Sequence, residues 1–60
     1  MKIIINQADI MSGKNLGELA IDIIEQFDCV LILREMNTLE VEKNTDDISG
    51  FFFVVSKYLE

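Results

Sequence analysis

The chain reads as a small α+β domain spanning residues 1–60. Three observations predict it. One stretch alone, Ser12 to Asp28, carries an amphipathic helical pattern. Short β-branched or apolar runs stand before and after it. Polar, turn-forming stretches separate those runs. The expected order is strand, helix, then three strands in a meander. The single helix would pack on one face of a small, mostly antiparallel sheet. The alternative makes the C-terminal segment helical, as βαββα.

Lys2 to Asn6 reads as the first strand. Ile3, Ile4 and Ile5 make it apolar on both faces, which points to a central position in the sheet. Gln7 to Met11 connects it to the helix. In the helix, Leu16, Leu19, Ala20, Ile23 and Phe27 recur at the spacing that stacks side chains on one side. Asn15 is the expected N-cap, with Glu18 three residues on as in a capping box. Ser12 is an alternative cap one turn earlier. Gly17 weakens the first turn by roughly 1 kcal/mol relative to alanine. Ile24 is expected at the edge of the core, and Ile21 lies off the stripe.

Cys29 to Arg34 reads as the second strand, again apolar on both faces. Leu39 to Lys43 is the third. It alternates cleanly, with Leu39 and Val41 on one side and Glu40 and Glu42 on the other, so one of its faces is wet. A three-residue turn at Met36, Asn37 and Thr38 would set Leu33 opposite Val41 and Arg34 opposite Glu40. Asn37 is the turn residue most tolerant of a left-handed backbone. Asn44 to Gly50 reads as a polar loop.

The last segment supports two readings. Phe51 to Val55 has strong strand propensity, which favours a strand from Phe51 to about Tyr58. Ile48, Phe51, Phe52, Val55 and Leu59 also fit a helical stripe, with Phe53 and Val54 left outside it.

Sixty residues bury only about 60% of the unfolded surface, and chains of this size often need a staple. One cysteine allows no intrachain disulfide, and the absence of histidine excludes the common zinc sites. Half the residues are apolar. With strands apolar on both faces and one helix to cover them, surface is left for a second copy of the chain. The expectation is a homo-oligomer, a dimer first, with Phe52, Phe53 and Val54 near its centre.

A net charge of −6, from eleven acids against five bases, disfavours binding to nucleic acid or anionic membrane. It suits a basic protein partner. No run is long enough to span a bilayer, and the N-terminus lacks a signal-peptide pattern, so a reducing, cytoplasmic setting is expected. Glu18, Asp22 and Glu25 share the polar side of the helix with no cation at helical spacing beyond Lys14. A charged helix face is as a rule simply solvated. The sharper expectation is an anionic ridge for a partner, joined by Glu40 and Glu42.

Chemistry-bearing constellations are missing. Cys29 has no histidine to activate it and reads as a small buried hydrophobe. Ser12-Gly13-Lys14-Asn15 lacks the earlier glycine and the hydroxyl residue of a phosphate-binding loop; those positions hold Ala8 and Asn15. Asn44, Thr45, Asp46 and Asp47 fall short of a calcium loop. No catalytic residue, metal or cofactor is expected.

The order strand, helix, strand, strand, followed by Asp47-Ile48-Ser49-Gly50 and an apolar run, resembles the front two-thirds of the phosphocarrier HPr family of sugar-transport systems. The resemblance covers most of this chain and implies a regulatory domain of that shape. Asp47 falls near the family's regulatory serine. The phosphorylated histidine has no counterpart here, so phosphocarrier activity does not carry over.

The expected function is therefore a non-enzymatic acidic interaction module. It would self-associate and bind, inhibit or modulate another protein, as many short accessory proteins of phages and mobile elements do by analogy. The alternative is a structural assembly subunit.

Overall fold

The computed structural model describes all residues from Met1 to Glu60. Its elements run β1 (Lys2–Asn6), a 3-10 turn (Gln7–Asp9), α1 (Leu16–Gln26), β2 (Cys29–Arg34), β3 (Thr38–Lys43) and α2 (Ile48–Ser56). The α+β class and the strand–helix–strand–strand order are those read from the sequence. The last element is the helical alternative and not the favoured strand.

The reason lies in burial. As a helix, α2 turns Phe51, Val54 and Val55 inward at i, i+3 and i+4. Phe51 meets Phe27 edge to face, with centroids 5.7 Å apart. That packing outweighs the strand propensity of the Phe-Val run, which is a weak preference that context overrides. The inward stripe also differs from the expected one. Phe52 and Phe53 face out, and Val54 faces in.

The sheet has three antiparallel strands in the order β1-β3-β2. β3 is central, and β1 lies at an edge, contrary to the expectation from its apolar faces. Both helices pack on one face. A central strand in a sheet covered on one side must present a wet face, and the alternation of β3 does so. The hairpin register pairs Leu33 with Leu39 and Arg34 with Thr38. It is thus displaced by two residues from the expected pairing. An even displacement leaves every side chain on its face. The loop is Glu35-Met36-Asn37, closed by Asn37 N–H donating to Arg34 O at 3.0 Å. Glu35 (φ +52°) and Met36 (φ +60°), rather than Asn37, take the left-handed backbone. Those two successive positive φ values match the right-handed twist of the flanking strands.

α1 begins as read. Asn15 Oδ1 accepts from Glu18 N–H at 2.9 Å. Leu16, Leu19 and Ile23 are buried, whereas Ile24 is exposed rather than at the core's edge. Gln7 supplies a second cap: its Oε1 accepts from Leu16 N–H at 3.0 Å. Gly13, at φ +88°, allows the turn in which Lys14 N–H donates to Met11 O. The core joins Ile5, Ile10, Leu16, Leu19, Ile23, Leu39, Val41, Phe51 and Val55. Lys43 is the one buried charged residue. Its ammonium lies 5.5 Å from the Phe27 ring and 5.9 Å from the Phe51 ring, and donates to Asp46 O. No helix is long and apolar enough to cross a membrane.

Candidate functional site

The five acidic residues singled out from the sequence fall on two separate surfaces. Glu18, Asp22 and Glu25 come together on the outer side of α1. With Ile21 and Tyr58 they line a shallow groove of about 290 Å³. Tyr58, just past α2, closes it by donating its hydroxyl to Asp22 Oδ2 at 2.9 Å. Gln26 Nε2 donates to the other oxygen of Asp22 at 2.5 Å. The hydrogen bond to Asp22 raises the Tyr58 phenol above its ordinary pKa, with burial and the negative charges of Asp22 and Glu18 acting in the same direction. None of the three carboxylates is in an ion pair; the ion pairs of the molecule both involve Glu40. The Lys14 ammonium lies 5.5 Å from the Tyr58 ring.

Glu40 and Glu42 lie on the sheet face that the helices leave open. Register places Ile4, Glu40 and Ile32 in one row across the strands and Lys2, Glu42 and Val30 in the next. Glu40 sits at the centre of this face, between Lys2 Nζ at 3.3 Å and the Arg34 guanidinium. The Arg34 and then the Lys2 hydrogen bonds hold its carboxyl below the usual range, against a smaller opposing effect of burial. Glu40 is thus neutralised within the chain. It does not join the helix ridge as one anionic site.

The residues expected to drive self-association also separate. Phe52 and Phe53 stand out from α2; Phe53 is 65% exposed, with the Lys57 ammonium 4.8 Å from its ring. Val54 is only 5% exposed and belongs inside. It is unavailable to a partner because the helix turns it inward with Phe51 and Val55, whereas a strand would have set it on the same face as Phe52.

Two features of the surface escaped the residue-by-residue reading. One is the open-face trio Ile4, Val30 and Ile32, all exposed; the two-sided apolarity of β1 and β2 was its signal. The other is the free edge of β2, which pattern alone cannot reveal because it follows from strand order. Cys29 is half-buried and its thiol is pushed up chiefly by burial, with Lys43 acting in the opposite direction. A thiol so held is a poor nucleophile. No cluster of three or more potential ligand residues is placed to hold a metal ion. No family model, curated protein or solved structure matches the chain. The likeness to the HPr family therefore rests on element order and the Asp47–Gly50 stretch alone.

Proposed function

We propose that this chain is a non-enzymatic interaction module that self-associates through apolar surface and modulates a protein partner by docking it on α1. The partner carries a basic surface. One observation carries the reading: Glu18, Asp22 and Glu25 line a single groove with Ile21 and Tyr58, and none of them is spent on an internal ion pair. An apolar floor beside uncompensated carboxylates suits a segment bearing lysine or arginine next to an aliphatic residue. The net charge of −6 would speed the encounter with such a surface and repel nucleic acid. A reducing, cytoplasmic setting fits the single free cysteine.

The test uses Glu18→Lys with Glu25→Lys. Both side chains lack a hydrogen-bond partner within the chain, whereas reversing Asp22 would also break its bond to Tyr58. Circular dichroism should be unchanged. Proteins retained by the immobilised wild-type chain and identified by mass spectrometry should be lost from the variant. Equal capture by both chains would refute docking on α1.

The second reading, a structural assembly subunit, is favoured by the free β2 edge. Sedimentation separates the two: a large closed assembly that retains no other protein supports it against the first.

A further inference from the structure

The outer edge of β2 points to a specific partner, and we infer that it is a second copy of this chain, paired antiparallel through β2 about a twofold axis at Leu31. This inference deepens the self-association half of the reading above and rests on it.

The argument begins with the backbone. Gln7 N–H donates to Asn37 O and Lys43 N–H to Met1 O, each at 2.8 Å. In an antiparallel ladder the bonding direction alternates from residue to residue. The odd-numbered residues of β3 therefore bond to β1, and Thr38, Glu40 and Glu42 bond to their β2 partners Arg34, Ile32 and Val30. The amides and carbonyls of Cys29, Leu31 and Leu33 are left pointing away from the sheet. None of them takes part in a turn, loop or side-chain hydrogen bond.

The edges differ in protection. β1 has Lys2 at one end, while Leu59 and Glu60 gather beside Ile4 and Ile5. A lysine at an edge is a common guard against pairing. β2 has no lysine and exposes Val30 at 65% and Ile32 at 46%.

Charge selects the occupant and the register. Outward-pointing residues must face outward-pointing residues, so the pairing moves in steps of two. Centred on Leu31, it sets Val30 against Ile32 of the second copy, and Arg34 against Asp28 of the second copy, at both ends. Centred on Ile32, it sets Arg34 against Val30. Centred on Val30, it sets Asp28 against Ile32. Only the first matches apolar with apolar and cation with anion. Arg34 remains able to reach Asp28, because its pairing with Glu40 uses Nε and leaves the other guanidinium N–H groups. The twofold lies perpendicular to the sheet and brings the two α1 helices to the same side. Ile24, on the stripe with Gly17 that approaches Met36 of the hairpin loop, lies on that flank.

The test removes the edge without touching either sheet face. A synthetic chain N-methylated at Leu31 loses only an outward donor, so its circular dichroism should match wild type. By sedimentation, wild type should be a dimer and the methylated chain a monomer, with the dimer dissociation constant raised at least about tenfold. In a Cys29→Ala background, Val30→Cys chains mixed with Ile32→Cys chains should cross-link under copper–phenanthroline oxidation. Neither should cross-link alone. Cross-linking of Ile32→Cys by itself would overturn the register. Equal dimerisation of the methylated chain would overturn the edge and leave self-association to another surface, Phe52 and Phe53 first. A wild-type chain monomeric at every concentration would overturn self-association itself.

Discussion

Single side chains tie the layers of this molecule together, and two of them make direct predictions. Tyr58 is the chain's only tyrosine, and there is no tryptophan, so phenol ionisation is readable by ultraviolet absorbance without interference. Its bond to Asp22 favours the protonated phenol. The folded pKa is raised, so the bond contributes fully below the ordinary phenol value of about 10 and is lost as pH rises through the raised one. Absorbance should show the midpoint above the ordinary value in wild type and returning towards it in Asp22→Ala. An unshifted wild-type midpoint would mean the groove is not closed as described. Lys43 is the second case. Its stem is buried beneath Phe27 and Phe51, while the carbonyl of Asp46 that it meets lies on an exposed residue that water can serve. Packing therefore dominates. Lys43→Ala should cost about 2 kcal/mol in denaturant unfolding, and Lys43→Met less than half of that. Neither role is visible in the sequence, where Lys43 looks like the polar end of an alternating strand. Its inward position follows from parity with Leu39 and Val41, but the aromatic cover comes from α2.

At the scale of elements, legibility followed the strength of local signals. α1 was readable to its cap because Asn15, Glu18 and the apolar stripe all point to one start. β1 and β2 were readable because apolar residues run without interruption, β-branched throughout in Ile3 to Ile5 and at every second position in Val30 to Leu33. α2 was read as a strand because the propensity of Phe51 to Val55 is local, whereas the contact that decides it, Phe51 against Phe27, is not. The Gln7 cap was likewise hidden, since it depends on the 3-10 turn folding back over the start of α1. That start gives the next prediction. Gln7 serves Leu16 N–H and Asn15 serves Glu18 N–H, so each occupies a different orphan donor of the first turn. Gln7→Ala and Asn15→Ala should each cost about 1 kcal/mol in thermal or denaturant unfolding. A Gln7→Ala chain as stable as wild type would show that water caps Leu16 equally well.

For the molecule as a whole, the unpaired charge of the helix ridge and the main exposed apolar patches lie on different surfaces. Three of the eleven acids, Glu18, Asp22 and Glu25, stand unpaired on the outer side of α1, while exposed apolar residues collect on the open sheet face, around the Lys2–Glu40–Arg34 cluster, and on the outside of α2. The excess of apolar residues was legible in composition. Its location was not, because it depends on β3, not β1, taking the centre of the sheet. The same separation governs the response to salt. Only Glu40 among the acids is ion-paired, so electrostatic interactions within the chain are mainly repulsive. Self-repulsion of a net charge of −6 opposes the compact state and would oppose the proposed pairing with a second copy. Added salt screens charges beyond a Debye length, about 10 Å at 0.1 M. Raising sodium chloride should therefore raise the melting temperature, and the rise should be smaller in Glu18→Gln with Glu25→Gln, which already removes two of the crowded charges. The Lys2–Glu40–Arg34 cluster pulls the other way, since screening weakens it. Its members are few against the unpaired acids, so a melting temperature that falls with salt would show that this cluster, and not the ridge on α1, dominates the field of the protein.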